Sequence, residues 1–173
     1  DHGVLLLVDA SLISENAYFI KKREPGYADK SILEIIREVM SLADMCYLSG
    51  RKSCSARGGF IATNRSDLMD RMRPWLPVYE GFFTYGGMST KEVEATAVGI
   101  REMTETEVAG ASADQVEYFV NSLVKIGVPA VTPPGGLACH VDAHKFLPHL
   151  GSFEYPAGAL SAAVYLVSGI RTM

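Results

Sequence analysis

The sequence predicts an α/β fold built on a parallel sheet, and three observations carry that expectation. The run Val4-Leu5-Leu6-Leu7-Val8 is too apolar to alternate, as in a short strand covered on both faces. Short strand-like segments alternate with helical patterns through the first half of the chain. Between the first two strands, Ser31 stands three residues before Glu34, the spacing of a capping box that opens a helix.

The elements follow in order. Residues 4–8 form the first strand, ending in Asp9, and a helix begins near Ser14, runs through residues 16–22 and closes at the Pro25-Gly26 turn. The helix capped by Ser31 buries a stripe of Ile32, Ile35, Ile36 and Val39, which recur on one face at the helical period. Residues 45–48 form a strand leading to Ser49 and Lys52, and residues 58–63 return from the lysine as another. A short helix over 66–72 ends at Pro74, and the aromatic, glycine-rich stretch 79–87 reads as a loop. Helices over about 90–106 and 112–126 join near Gly110, and Gly127 closes the second. Strands are expected at 128–131 and 137–141, and an alanine-rich helix at 156–168. The shift at Thr90 from short βα units to long helices marks the expected domain boundary, dividing 1–90 from 91–173.

Composition narrows the class of function. A hydrophobic share of 48% with 21% charged residues is that of a globular domain. The net charge of −4 and the lack of a basic run argue against nucleic acid or an anionic membrane as partner. No apolar stretch nears the roughly 20 residues of a membrane span. Cys46, Cys54 and Cys139 form no CxxC pair, which fits a reducing, cytoplasmic setting. The chain starts just before a strand and stops after an apolar helical run, as a piece of a larger fold would.

Chemistry concentrates at two strand ends. Asp9 follows the first strand, and Ser49-Gly50-Arg51-Lys52 follows the second. A carboxylate and a lysine beside a serine, each delivered by a strand, are what pyridoxal phosphate requires: the amine forms a Schiff base with the aldehyde, and the carboxylate keeps the pyridine nitrogen protonated. The C-terminal ends of strands are where open α/β sheets bind ligands. A serine hydroxyl with nearby backbone N–H groups suits a phosphate. Burial and the neighbouring Arg51 are expected to lower the pKa of Lys52 so that its amine can act as a base.

The chain resembles the tryptophanase and tyrosine phenol-lyase group of β-eliminating lyases. The resemblance rests on short blocks in one order, among them Asp9-Ala10-Ser11, Glu15-Asn16-Ala17-Tyr18-Phe19-Ile20-Lys21, Ser49-Gly50-Arg51-Lys52, Gly58-Gly59-Phe60, Tyr79-Glu80-Gly81 and Tyr85-Gly86-Gly87. Further blocks are Gly127-Val128-Pro129, Pro148-His149-Leu150 and Gly169-Ile170-Arg171. It implies the aspartate-aminotransferase-like architecture (fold type I), with residues 1–90 as the C-terminal half of the large, cofactor-binding domain. Residues 91–173 would then be linking helices and part of the small domain. It implies pyridoxal phosphate as cofactor and carbon–carbon β-elimination on an aromatic amino acid as the reaction, releasing indole or phenol with pyruvate and ammonia. It also implies an oligomer, or a companion polypeptide that supplies the rest of the fold.

By the same resemblance Lys52 is the cofactor-linked lysine, Asp9 the partner of the ring nitrogen, and Ser49 a phosphate ligand, with Ser11 beside it on the cofactor. Arg51 falls where the family has a second lysine, Tyr85 matches an active-site tyrosine, and the Arg57 backbone carbonyl matches a ligand of a monovalent cation such as K+. There are departures. Leu12 replaces an arginine that bonds the cofactor's phenolic oxygen, a charge-assisted contact of roughly 1.5–3 kcal/mol. Leu137 replaces a histidine. The family's substrate-carboxylate arginine, N-terminal phosphate loop and ring-stacking aromatic have no counterpart in these residues. A related enzyme with altered chemistry, or a subunit that is not catalytic alone, therefore stands as the alternative.

The segment Cys139-His140-Val141-Asp142-Ala143-His144 would put His140, Asp142 and His144 on one face of a strand, a spacing that suits a metal. The favoured reading is that Asp142 caps the helix containing Phe146, so no metal is expected there. Met40, Met45, Met69, Met72, Met88 and Met103 read as core.

Overall fold

A computed structural model describes residues 2–81 and 86–173. It is a mixed α/β structure with a small sheet and several helices, divided into compact units Asp1–Ala113 and Asp114–Met173.

In the first unit, β1 (Leu7–Asp9) pairs in parallel with β2 (Met45–Ser49), which pairs antiparallel with β3 (Gly59–Thr63). The crossover between the parallel strands contains α1 (Ile13–Arg23) and α2 (Ile32–Ser41). The sequence defines α2 sharply. Ser31 accepts a hydrogen bond from the Glu34 N–H at 3.2 Å, and Glu34 accepts from the Ser31 N–H at 2.7 Å, so both orphan donors of the first turn are satisfied. Ile32 and Ile35 are fully buried and Ile36 nearly so, with Val39 packed at the margin of the core.

The core lies on one face of the sheet. Leu48, Cys46 and Phe60 meet Ile13 and Ala17 of α1, Ile32, Ile35 and Ile36 of α2, and Met103 and Ala109 beyond them. Because strand side chains alternate, Asp9, Tyr47 and Ile61, which are in register across the three strands, share the other face. Tyr47 and Ile61 are exposed there. The expectation of a first strand covered on both faces is therefore corrected. Residues 4–7 are all exposed, because β1 is an edge strand of a sheet whose described helices in this cluster pack on the opposite side.

After β3 come α3 (Ser66–Met72), a 3-10 turn (Arg73–Trp75) holding Pro74, and α4 (Leu76–Tyr79). Helix α5 (Thr90–Glu102) begins where the Ser89 N–H donates to Glu92 at 2.8 Å. Helix α6 (Thr106–Lys125) follows after Met103, Thr104 and Glu105. The joint is thus not at Gly110, which lies inside α6. A Cβ at Gly110 would stand 2.9 Å from the Tyr18 ring, so the glycine serves close packing against α1 rather than a turn.

In the second unit Gly127, at φ +87°, closes α6. The two strands expected at 128–131 and 137–141 reduce to a single antiparallel bridge between Ala130 and Val141. Pro129, Pro133 and Pro134 have no N–H to give a ladder, which explains why pairing does not spread. Helix α7 (Ala143–Phe146) is capped by Asp142, whose carboxylate accepts the Lys145 N–H at 3.0 Å. Helix α8 (Pro156–Ser168) starts on Pro156 and ends at Gly169, in the left-handed region. Among the described residues no helix is long and apolar enough to cross a membrane.

Helix α5 presses on the turn that carries Lys52: a Cβ at Gly99 would stand 2.1 Å from the Cys54 carbonyl oxygen. Gly99→Ala is expected to lower stability by about 1–3 kcal/mol, the range for overpacking a closed contact. A urea unfolding midpoint equal to that of the parent chain would contradict this close approach.

Candidate functional site

The parallel pairing of β1 and β2 brings their C-terminal ends side by side, with Asp9 opposite Tyr47. The chain leaving β1 enters α1, and the chain leaving β2 makes the turn 50–58 that returns as β3. Turn 50–58 is closed by its own backbone: Gly50 N–H donates to Gly58 O at 2.8 Å, Ala56 N–H to Gly50 O at 2.7 Å, and Ser55 N–H to Lys52 O at 2.9 Å. Its flanks are anchored. Ser53 and Cys54 are buried, and the Cys54 thiol lies 3.5 Å from the Met103 sulfur. Arg51 and Lys52 project from this fixed turn and are exposed. The burial expected for Lys52 is corrected: the described residues around the turn cover its neighbours Ser53 and Cys54, not the lysine itself.

Ser11 joins the two strand ends. Its N–H donates to Asp9 Oδ1 at 3.0 Å, and its Oγ accepts the Ser49 N–H at 3.0 Å. Its hydroxyl also serves the Asp9 carboxylate, and these two Ser11 bonds hold the Asp9 carboxyl below the ordinary carboxylate value. The Tyr47 hydroxyl and the positive charge of Lys52 act in the same direction, and desolvation opposes them. The reciprocal effect on Tyr47 is a raised phenol pKa, caused first by its hydrogen bond to Asp9. Asp9 is thereby kept as an exposed anion within electrostatic reach of the lysine.

The residues named from sequence divide accordingly. Asp9, Ser11, Ser49, Arg51 and Lys52 come together at the ends of β1 and β2. Ser11 is 4% exposed and its polar atoms are committed to Asp9, Ser49 and Ser53, so it orients the others rather than facing open space. The Arg57 carbonyl accepts from the Thr96 hydroxyl at 3.3 Å. Tyr85 lies outside the described residues. Asp142 caps α7 as expected, and among the described residues no cluster of His, Cys, Asp or Glu could hold a metal ion.

Three residues at the site escaped sequence reasoning. Tyr47 was legible only through the strand period, which sets it on the same face as Asp9. Ser53 and Glu15 meet in the interior, where the Ser53 hydroxyl donates to Glu15 Oε2 at 2.6 Å. A shallow hollow of about 300 Å³ in the second unit, lined by Val141, Ala143, His144, Ser152, Pro156 and Ala157, contains none of the residues of this site.

The lowered Asp9 value gives a sign to its pH dependence. Because the folded-state pKa is depressed, the stabilisation is present above the ordinary value of 3.8 and is lost as pH falls through the folded value. Ser11→Ala is expected to move the Asp9 titration upward, towards 3.8, as followed by carboxyl carbon NMR. An unchanged titration would contradict the role given to Ser11.

With this geometry in hand, comparison with known proteins is decisive for the family. The family model described as beta-eliminating lyase matches residues 1–171. A tyrosine phenol-lyase of Lacrimispora saccharolytica is 47% identical over 99% of the chain, which corresponds to 37% of that protein's length. Tyrosine phenol-lyases of Fusobacterium nucleatum and Symbiobacterium sp. are 44% and 43% identical, again over 99% of the chain and 38% of their own length. The chain thus spans less than two-fifths of the length of these relatives, and within that span it belongs to the beta-eliminating lyase family.

Proposed function

We propose that this chain is the lysine-bearing part of a pyridoxal-phosphate-dependent carbon–carbon lyase acting on an aromatic amino acid. The observation that carries the reading is the placement of Asp9 at the end of β1 and of Lys52 in the turn leaving β2, the adjacent parallel strand, with Ser11 bonded to both Asp9 and Ser49. The donor set fits the cofactor: an exposed primary amine, an exposed anion and serine groups between them. The names of the relatives favour tyrosine as substrate and phenol as leaving group. On this reading residues 1–90 belong to the large domain of an aspartate-aminotransferase-like fold and residues 91–173 to linking helices and the small domain. The enzyme would be a cytoplasmic oligomer.

When bound, pyridoxal phosphate supplies an aldehyde for the amine and a ring that accepts electrons from the substrate's α-carbon. Asp9 would hold negative charge against the ring nitrogen, and Ser11 keeps that carboxylate ionised and aimed. Lys52 would carry the cofactor and then move a proton at the substrate α-carbon through its Nζ. Ser49 would donate its hydroxyl to the phosphate while its N–H remains bonded to Ser11. Tyr85 enters from the resemblance alone. The Arg57 carbonyl, with two lone pairs, keeps one for a cation such as K+ beside its Thr96 bond.

Incubation with pyridoxal phosphate, borohydride reduction and peptide mapping test the reading. Lys52 is expected to take the label at cofactor concentrations well below those that mark other lysines, and Asp9→Asn to reduce its labelling about tenfold or more. Labelling spread evenly over surface lysines would overturn the assignment. Leu12 opens α1 at its N-cap, beside this site, where the family has an arginine. Leu12→Arg is expected to shift half-maximal labelling of Lys52 to cofactor concentrations roughly tenfold to hundredfold lower, the worth of a charge-assisted hydrogen bond. An unshifted concentration dependence would mean that position 12 does not reach the cofactor.

A further inference from the structure

We propose that Glu15 is the positioning residue for the Lys52 turn, acting through Ser53; the inference rests on the cofactor reading of Lys52 and extends it to a residue to which no role has been assigned. Glu15 is 4% exposed, in the first turn of α1, where a negative charge is favoured by the helix N-terminus. A buried carboxylate is costly to keep unless hydrogen bonds replace its hydration. Here it accepts a hydrogen bond from Ser53, the immediate neighbour of Lys52. The Ser53 hydroxyl donates to Glu15 Oε2 at 2.6 Å and lies 3.0 Å from the Ser11 carbonyl oxygen, and the Ser53 N–H reaches that same carbonyl at 3.4 Å.

The start of α1 therefore grips both halves of the site. Ser11 fixes Asp9 and Ser49 on one side, and Glu15 with the Ser11 carbonyl fixes Ser53 on the other. The helix start is itself tied down, since the Ser14 hydroxyl donates to the Met103 carbonyl at 2.6 Å. Lys52 is exposed, with Arg51, between the fixed points Ser49 and Ser53, and it directly precedes Ser53, so the direction in which its amine leaves the turn is set from beneath by Glu15.

Amide hydrogen exchange on the purified chain tests this without any cofactor, using Glu15→Ala, Glu15→Gln and Ser53→Ala. In Glu15→Ala and Ser53→Ala the amides of residues 50–57 are expected to exchange about tenfold faster, the loss of one buried hydrogen bond, while α2 amides keep their rates. Glu15→Gln, whose amide carbonyl still accepts from Ser53, is expected to restore near-parent rates. Half-maximal labelling of Lys52 by pyridoxal phosphate should move to higher concentration in the first two variants and return in the third. Parent-like exchange of residues 50–57 in Ser53→Ala, or a uniform rise across α2 and the turn in Glu15→Ala, would overturn the proposal. The exchange readout decides on Glu15 alone, and failure of the parent chain to label Lys52 would overturn only the cofactor reading.

Discussion

The site depends on one small buried residue. Ser11 offers an N–H, a hydroxyl and a carbonyl, and together they tie three neighbours: the N–H and hydroxyl serve Asp9, the hydroxyl also accepts from Ser49, and the carbonyl faces Ser53. A serine can do this because its side chain is short enough to stay in register with its own backbone, leaving three polar groups within a few ångströms. Without such a junction, the end of β1 and the turn after β2 would be left with the parallel pairing of their strands and the Ser53–Glu15 bond. With it, a carboxylate and an amine on separate segments share one frame of reference.

The one-sided core explains how both can be exposed and still ordered. Helices α1 and α2 bury the isoleucine stripe and the Leu48 side of the sheet, and the opposite side carries Asp9, Tyr47 and Ile61 in a row. Rigidity comes from below the sheet, where polar groups are paired, and among the described residues no buried side-chain nitrogen or oxygen lacks a partner. Asp9, Arg51 and Lys52 are exposed. On the proposed reading, this separation of support from exposed groups is what preorganisation requires, since positions held by packing need no reordering when a ligand arrives.

What was legible in the sequence was local. The Ser31–Glu34 box, the helix over 66–72 and the helix from Pro156 each carry their own start or stop chemistry, and they form where that chemistry places them. Asp9 and Lys52 were legible because their strand-end contexts are encoded in contiguous residues. Tertiary adjacency was not. An apolar run such as residues 4–8 reports its own hydrophobicity and says nothing of what covers it. Gly110 reads as a break but is a helical residue beneath Tyr18, and the strands about Pro133 lack the donors a ladder needs. Glu15 and Ser53 are unremarkable in their own segments, and their pairing exists only across residues separated by a whole βα unit.

The close seat of α5 on the Lys52 turn has one more consequence. Cys54 is closed in by Gly99 and Met103, and its burial pushes the thiol pKa up, so the thiolate that reagents attack is disfavoured twice. Cys46 and Cys139 are only half covered. The protein thus contains its own gauge of integrity: alkylation at position 54 becomes accessible when the turn lifts from the helix, the same movement that would displace Lys52, two residues away.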